Sequence, residues 1–338
     1  MSAEVPARRI IRAPNHLGDV VAALPAIVAD RSDVLVVRWL ALVLEMSGTP
    51  GEIIPFDRGL AGFRRAVGEL SSRSYEQGVL LTPAFSAAWL FRWGGVTRLR
   101  GTATDGRSFM LSERIPAEAL RPHHRINGYK LLLGQDPSGP PTGHRLIPRE
   151  GLVDRWRTRT NRGGGPLVGL FPGANAPARR WPADRFCRIA KMIGDRGAKV
   201  VVMGGVAETA VTARVAAAAP GALDAGGRTD LAELAALLSV CDLVVTNDTG
   251  PMHLAGAVGT PTVSLWGPSD PNEVRQVGAT DIRVTGAELP CKPCYRNHCM
   301  RRGRGTLLAD AHEECMQLIE VQDVLSAVES AVGGSGGQ

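Results

Sequence analysis

The sequence predicts an α/β protein made of two domains, each with a parallel, doubly wound sheet. Short apolar runs alternate with segments of helical periodicity along the chain, and this alternation is typical of parallel sheets. A length of 338 residues is sufficient for two hydrophobic cores. A segment rich in glycine and proline, residues 135–143, separates the halves. We therefore expect a first domain over residues 1–150, a second over 151–330 that faces it across a cleft, and a disordered tail over 331–338.

Each half contains short strands separated by helices. The predicted strands are residues 10–13, 34–37, 53–56 and 78–81 in the first half and 167–171, 199–203, 242–246 and 262–266 in the second. Helices are predicted over residues 19–30, 60–70, 84–93, 206–218, 230–239 and 321–332, with another starting at Pro182 and a short one ending at Gly259. Ligands of open α/β sheets bind outside the carboxyl ends of the strands, so the loops after these strands are the candidate sites.

The charge balance favours an anionic partner. The formal net charge is +6 and the sequence pI is about 9.3, which is typical of proteins that meet nucleic acid, an acidic membrane or a phosphorylated substrate. Aromatic residues make up 5% of the chain and form no stripe with the dispersed arginines, so no nucleic-acid partner is predicted. Residues 1–12 lack the apolar core of a signal peptide. We expect a cytoplasmic protein whose contact with a membrane is peripheral.

The turn after the third strand of the second half carries the densest chemistry. Asn247 and Asp248 can cap the helix that follows, and Thr249-Gly250 leaves backbone N–H groups at the positive end of that helix. Such a helix start can bind a phosphate or a diphosphate. We predict an anion site formed by Asp248, Thr249, Gly250 and His253. The alternative is an ordinary helix cap with a surface histidine.

A second candidate turn follows the strand 167–171. Gly173 has no side chain, which allows close approach of a ligand to the backbone. Arg179 and Arg180 precede the helix that starts at Pro182, where they would place positive charge beside the same phosphates. The alternative is a solvated basic turn.

A third candidate turn follows the first strand and contains His16, Gly18 and Asp19. A carboxylate in the first turn of a helix usually complements the helix dipole and has no other role. Opposite an anion site, however, Asp19 could act as a general base on a hydroxyl nucleophile.

Motifs of several other enzyme classes are missing from the sequence. No Gly-x-Gly-x-x-Gly follows the first strand, which argues against a nucleotide-dependent oxidoreductase. The sequence has no Walker loop, no His-Glu-x-x-His and no strand-flanked Asp-x-Asp pair that would hold a divalent ion against a diphosphate. Positive charge on a leaving diphosphate would therefore come from arginine and from helix ends.

Four of the six cysteines cluster late in the chain, with two histidines among them; they are Cys291, Cys294, Cys299 and Cys315, with His298 and His312. Three interpretations remain open for this cluster: a structural metal such as zinc, disulfides, or thiols without a ligand. The other two cysteines, Cys187 and Cys241, lie in apolar segments and are predicted core thiols.

Three blocks resemble those of the family-9 glycosyltransferases, the ADP-heptose:lipopolysaccharide heptosyltransferases. They are the Gly-Asp turn of residues 14–19, the Pro-Gly-Ala block with Trp-Pro over 172–182, and an Asp-Thr-Gly-x-x-His block over 248–271 that ends in Gly-Pro-x-Asp-Pro. The resemblance extends over residues 8–330, and the Cys-Lys-Pro-Cys-Tyr segment at 291–295 is most similar to the heptosyltransferase II branch.

The resemblance implies a role for individual residues. Asp19 matches the family's proposed catalytic base, with His16 and Gly18 beside it on the acceptor side. Arg179 stands where the family usually has lysine and is implied to contact the donor diphosphate. The donor-binding residues implied are Gly173, Glu208, Asp248, Thr249, Gly250 and His253, of which Glu208 stands where the family places a ribose-binding glutamate. Residues 81–86 lack the asparagine and lysine of the corresponding family segment, which leaves the acceptor open.

The resemblance also implies a fold and a reaction. The fold is GT-B, in which two Rossmann-like parallel-sheet domains face each other across a cleft. The reaction is inverting, metal-independent transfer of heptose from ADP-heptose to the inner core of lipopolysaccharide, at the inner face of the inner membrane. Asp19 would deprotonate the acceptor hydroxyl and Arg179 would stabilise the leaving diphosphate. No cofactor is required, and zinc at the four cysteines would be structural. The alternatives are a family-9 enzyme with another acceptor and a non-catalytic sugar-nucleotide binding protein.

Overall fold

The structure is a computed structural model that describes residues 8–160, 164–299 and 314–333. The chain divides into two compact units, Met1–Leu146 and Ile147–Gln338. The division falls in the glycine- and proline-containing stretch between the last helix of the first unit and the first helix of the second. Each unit has its own sheet and its own cluster of buried apolar side chains.

The first unit contains a six-stranded sheet of parallel strands. Its strands are β1 (Arg9–Arg12), β2 (Asp33–Val37), β3 (Ile53–Phe56), β4 (Gln77–Leu80), β5 (Arg98–Thr102) and β6 (Glu113–Ile115). They are ordered β3-β2-β1-β4-β5-β6, which is the order of doubly wound nucleotide-binding sheets. The direction of winding reverses between β1 and β4, and the crevice at this switch point is where such sheets bind ligands.

The helices of the first unit are α1 (Leu17–Asp30), α2 (Ala41–Met46), α3 (Leu60–Arg73), α4 (Phe85–Trp93) and α5 (Arg125–Leu132). The central strand β1 buries Ile10 and Ile11 completely, since both faces of a parallel sheet are covered. Helix α1 runs through Pro25 without interruption. The turn between β1 and α1 therefore joins a buried strand to a long helix, and it lies at the switch point.

The second unit repeats this topology. Its strands are β7 (Leu167–Phe171), β8 (Lys199–Val202), β9 (Leu223–Asp224), β10 (Leu243–Asn247), β11 (Thr262–Trp266) and β12 (Asp281–Thr285), all parallel. The order is β12-β11-β10-β7-β8-β9, so the switch point lies between β7 and β10. Its helices are α6 (Glu150–Thr160), α7 (Ala183–Asp195), α8 (Thr209–Ala217), α9 (Leu231–Val240), α10 (Gly250–Val258), α11 (Pro271–Val274), α12 (Glu314–Gln317) and α13 (Val321–Gly333).

Four strands of the structure are not predicted from the sequence: β5, β6, β9 and β12. Three of them form sheet edges, where a strand is partly exposed and has no continuous apolar run. Residues 206–208 form a separate 3₁₀ turn before α8, so the helix predicted over 206–218 begins later. Of the predicted tail, residues 331–333 complete α13, and 334–338 lie outside the described residues. Among the described helices, none is both long enough and apolar enough to cross a membrane.

Candidate functional site

The second unit brings the two predicted phosphate-binding turns together at its switch point. The turns follow the neighbouring strands β7 and β10. The completely buried Asn247 joins them, because its Nδ2 donates hydrogen bonds to the carbonyl oxygens of Pro172 (2.9 Å) and Gly173 (3.1 Å). Its Oδ1 accepts a hydrogen bond from the backbone N–H of Trp181 at 3.0 Å. One side chain thus fixes both ends of the 172–181 loop against the turn after β10.

The two charged residues predicted for this site form an ion pair. Nη1 of Arg179 lies 3.2 Å from Oδ2 of Asp248, and the carboxylate is buried while the guanidinium is partly exposed. Nε of Arg179 is buried and has no hydrogen-bond acceptor within the described residues. Asp248 therefore orients a guanidinium at the start of α10 without using all of its hydrogen-bond donors.

Helix α10 starts beside this ion pair without a side-chain cap. Thr249 is the N-cap residue, but its side chain accepts no capping hydrogen bond, and its buried Oγ1 has no partner in the described parts of the chain. The N–H groups of a first helical turn have no intrahelical acceptor and attract anions. A buried hydroxyl without a partner lowers stability, and such groups in native proteins call for an explanation such as a functional role. His253 lies in the same first turn and is half-buried.

Glu208 and Gly173 lie in direct contact, although 35 positions separate them in sequence. A Cβ built on Gly173 would lie 1.6 Å from Oε1 of Glu208, so only glycine fits under this carboxylate. Oε2 of Glu208 accepts a hydrogen bond from the backbone N–H of Gly205 at 2.8 Å. The loops after β7, β8 and β10 therefore place five predicted residues, together with Arg179, at one edge of the sheet; the five are Gly173, Glu208, Asp248, Thr249 and Gly250.

In the first unit, Asp19 lies at the start of α1 and has two partners from α5. Nη1 of Arg125 donates a hydrogen bond to Oδ1 of Asp19 at 2.6 Å. Burial, with additional contributions from the charge of Asp19 and a hydrogen bond to it, raises the pKa of Tyr129 well above its usual value. The phenol therefore stays protonated and donates to the carboxylate. Arg125 and Tyr129 hold Asp19 in place, and its side chain remains partly accessible.

Two adjoining cavities lie near the start of α1, and the smaller of them contains Asp19. The smaller, about 430 Å³, is lined by Asp19 and Tyr129 and by the loop after β4. The larger, about 640 Å³, is lined by Arg12, Arg58 and Phe63 among others. His16, the residue before α1, lines both cavities, whereas Gly18 lies within the first turn of α1 and lines neither.

Arg12 is a buried cation at the carboxyl end of β1. It donates hydrogen bonds to Ala13 O and to Oδ1 of Asn15, and its guanidinium lies 4.6 Å from the ring centre of Phe56. Burial, and next the neighbouring Arg58, lowers the pKa of Arg12 to about 9. Within the described residues no carboxylate forms an ion pair with it. An uncompensated buried charge is unfavourable, so this cavity is suited to an anionic group.

A second buried arginine shapes the loop after β4. Arg107 donates to the carbonyl oxygens of Thr82 (2.6 Å), Ala84 (3.2 Å) and Thr102 (3.0 Å). Burial lowers its pKa to about 10. This loop is the segment whose sequence departs from the family pattern, and Thr82 and Ala84 line the cavity that contains Asp19. Arg107 therefore fixes the backbone of one cavity wall.

The cysteine cluster gathers around the turn after β11. The backbone N–H of Cys294 donates to Pro268 O at 2.9 Å, and a Cβ built on Gly267 would lie 3.0 Å from Sγ of Cys315. Burial, and next the nearby Cys299, raises the pKa of the Cys315 thiol to about 11. The six cysteines are not joined in disulfides, and the described residues contain no group of three or more His, Cys, Asp or Glu side chains arranged to hold a metal ion. His312 lies outside the described residues, and the zinc site stays a prediction.

Several residues of these sites are missing from the sequence-based prediction. Arg125 and Tyr129 lie more than a hundred positions from Asp19, and no local pattern links them. The sequence gives little indication that Arg12 and Arg107 are buried, because charged residues are rarely buried in folded proteins. The only hint for Arg12 is its position at the end of an apolar strand. His16 is the N-cap residue of α1, and Gly18 lies in its first turn next to Asp19. Their role on the acceptor side stays a prediction.

Comparison with known proteins identifies similar sequences over most of the chain. The model of "Glycosyltransferase family 9 (heptosyltransferase)" matches residues 63–303. Lipopolysaccharide heptosyltransferase 2 of Salmonella typhimurium is 36% identical over 263 residues, which cover 71% of this chain and 75% of that protein. The matched range of the family model includes the Arg179 and Asp248 turns but begins after Asp19.

Solved structures share the fold. The structure of E. coli ADP-heptose lipopolysaccharide heptosyltransferase II superposes with a TM-score of 0.78 at 20% identity, covering 97% of this chain and 99% of that chain. The iron-containing dodecameric glycosyltransferase TibC from enterotoxigenic E. coli superposes with a TM-score of 0.64 at 17% identity, covering 98% of this chain and 80% of that chain. The two parallel six-stranded sheets are those of the GT-B heptosyltransferase fold, as the sequence predicts.

Proposed function

This chain belongs to glycosyltransferase family 9 and is a heptosyltransferase of lipopolysaccharide core biosynthesis, and from this premise we propose that its donor is ADP-heptose and that transfer is inverting and independent of metal. One observation carries the donor assignment: Asn247 locks two turns at the switch point of the second unit, and between them lie the Arg179–Asp248 pair and the uncapped start of α10. A helix start and a guanidinium at one point are suited to a diphosphate.

The acceptor is proposed to bind in the first unit, in the cavity that contains Asp19 and in the larger cavity that adjoins it. The larger cavity is lined by the buried Arg12, by the exposed Arg58 and by Asp57. Because Asp57 is paired with Arg38 and Arg65, the two arginines of the lining favour a sugar that bears carboxylate or phosphate. If the acceptor is carried on a lipid, the enzyme would act in the cytoplasm, at the inner face of the inner membrane. Because the loop after β4 departs from the family pattern, a family-9 enzyme with another acceptor is the second candidate.

The proposed reaction is a single displacement. The carboxylate of Asp19 takes the proton of the acceptor hydroxyl, and the hydroxyl oxygen forms a bond to the anomeric carbon of the heptose. The bond from that carbon to the β-phosphate oxygen breaks on the opposite face, which inverts the configuration. Its electron pair leaves with ADP, where Arg179 and the N–H groups at the start of α10 stabilise the new negative charge.

A substitution at the start of α10 tests the donor site. Thr249→Trp should abolish the stabilisation of the protein by ADP and by ADP-heptose against thermal unfolding, because the indole would occupy the space beside the first-turn N–H groups. The wild-type protein should be stabilised by ADP-heptose more than by UDP- or GDP-sugars. Thr280→Trp is the matched control, since Thr280 is exposed just before β12, at the opposite edge of the same sheet. If ADP raises the melting temperature of Thr249→Trp as much as that of the wild-type protein, ADP binds at another site.

We also propose that the cysteine cluster binds a structural metal ion, which is supported by the closeness of Cys294 and Cys299 to Cys315 beside the turn after β11 and by the iron of the related TibC. Protein purified without a polyhistidine tag should contain about one equivalent of zinc or iron per chain. Replacing Cys291 and Cys294 by serine should remove the metal, whereas Cys187→Ser, a change outside the cluster, should keep it. Metal-free protein in which all four thiols react under native conditions would leave a loop of unligated thiols.

A further inference from the structure

Five aromatic side chains form a continuous ladder on the surface of the first unit. Along the ladder, ring centres are separated by 6.4 Å for Phe109 and Phe85, 5.8 Å for Phe85 and Trp89, 5.4 Å for Trp89 and Trp93, and 6.2 Å for Trp93 and Phe63. Three of the rings are exposed: Trp89 at 38%, Trp93 at 59% and Phe109 at 70%. A contiguous exposed apolar surface on a soluble domain marks an interaction site.

The ladder lies on the outer face of α4. Phe85, Trp89 and Trp93 are spaced four residues apart and therefore share one face of the helix, while the opposite face buries Ala88 and Phe91 in the core. The helix is thus apolar on both faces. Phe63 and Phe85 pack partly against the core. A surface helix that needed only the core would carry polar residues outside, so the exposed rings of Trp89 and Trp93 are not explained by folding.

Two exposed arginines are next to rings of the ladder in sequence. Arg64 follows Phe63, Arg92 precedes Trp93, and both arginines are exposed. Of the acidic residues nearby, Asp57 is paired with Arg38 and Arg65, whereas Asp105 keeps its negative charge while it accepts the backbone N–H of Phe85. Tryptophan beside arginine is the composition of surfaces that lie in the headgroup region of an anionic bilayer.

The ladder continues into the cavity that contains Arg12. Its last ring, Phe63, lines that cavity together with Leu60, Arg12 and Arg58. A surface that docks on a bilayer through the ladder would therefore hold the mouth of this cavity at the level of the headgroups.

The geometry points to the Phe63–Trp93–Trp89–Phe85–Phe109 ladder as the surface by which this protein docks on an anionic lipid membrane. The inference deepens the proposed acceptor assignment by naming the surface that would meet a lipid-borne sugar. The purpose of membrane docking rests on the proposed function, but the docking itself does not, since lipid binding can be measured without donor, acceptor or turnover.

Cosedimentation with vesicles tests the docking surface. The wild-type protein should bind vesicles of phosphatidylglycerol and phosphatidylcholine, bind phosphatidylcholine alone weakly, and release at high salt. Trp89→Ser combined with Trp93→Ser should lower the partition coefficient on the mixed vesicles by about tenfold or more, since two large rings would no longer enter the interface. Ile147→Ser is the matched control, because Ile147 is 75% exposed and lies outside the ladder.

Two further measurements separate the remaining outcomes. Bromine-labelled lipid should quench the tryptophan fluorescence of the wild-type protein and of Ile147→Ser but not that of the double variant, and all three proteins should keep the same melting temperature and ADP-induced shift. A wild-type protein that ignores anionic vesicles overturns the inference. A dimer that the double substitution dissociates, without vesicle binding, would assign the ladder to a second copy of the chain and also overturn it. If vesicles bind but no sugar is transferred, the proposed function fails and the docking surface stands.

Discussion

Asp19→Asn should lower kcat by roughly 10²–10⁴-fold, the usual contribution of a general base, and leave ADP binding close to that of the wild-type protein. Asparagine keeps the volume of aspartate and one oxygen that can accept the hydrogen bond from Arg125, so the start of α1 should keep its geometry. The amide cannot take a proton from a hydroxyl at neutral pH. Initial rates of ADP release with saturating acceptor measure the loss, and the ADP-induced shift in melting temperature measures binding.

Asp105→Asn is the matched control for this experiment. Asp105 lines the same cavity as Asp19, and its Oδ2 accepts the backbone N–H of Phe85 at 2.7 Å, a bond that asparagine can also accept. Its turnover should stay within a few-fold of wild type. Wild-type turnover in Asp19→Asn would show that another group is the base. Loss of the ADP-induced shift in the same variant would show that Asp19 contributes to donor binding.

Arg179→Ala should lower kcat by about 10²–10³-fold, the scale observed when one preorganised donor to a developing negative charge is removed. Adenosine and ADP binding should weaken much less, because charge on the diphosphate grows in the transition state. Arg179→Lys should recover part of the rate, since lysine keeps the positive charge but loses the planar fork. Comparing kcat with the ADP dissociation constant in the same preparations separates the two effects.

Arg188→Ala controls for the loss of one positive charge, because Arg188 is exposed on α7 outside the site. The same assay tests the metal-independent mechanism, and excess chelator should leave the wild-type rate unchanged. A rate that falls with chelator and returns with magnesium or manganese would contradict it, and equal losses of kcat and ADP affinity in Arg179→Ala would make Arg179 a binding residue alone.

The sequence predicts the central strands and the site turns well because both depend on local features. Strands such as β7 and β10 are continuous apolar runs, and the turns after them consist of glycine, proline and capping residues that can be identified without tertiary information. In a parallel sheet the carboxyl ends of neighbouring strands meet at one edge, so the predicted proximity of Gly173 and Thr249 follows from topology.

Interactions that join distant segments could not be predicted in the same way. The pairing of Asp19 with Arg125 depends on where α5 packs, and α5 is a short helix with little amphipathic signal. The edge strand β12 alternates polar and apolar residues, so it has no continuous apolar run to identify it. Three rings of the aromatic ladder, those of Phe85, Trp89 and Trp93, follow from helical spacing in α4. The rings of Phe63 and Phe109 come from other segments, and only the fold adds them to the row.

The buried amide of Asn247 has a consequence for how the donor loop moves. The N–H of Trp181 can exchange its hydrogen with deuterated water only when its bond to Asn247 opens, and the same amide group also holds the carbonyl groups of Pro172 and Gly173. Loops that bind ligands usually exchange at the low-stability end of a protein, whereas we expect this loop to exchange as slowly as β10, the strand to which Asn247 belongs. A nucleotide bound there, as proposed, would meet a loop already ordered, so little of its interaction free energy would be consumed in ordering the chain.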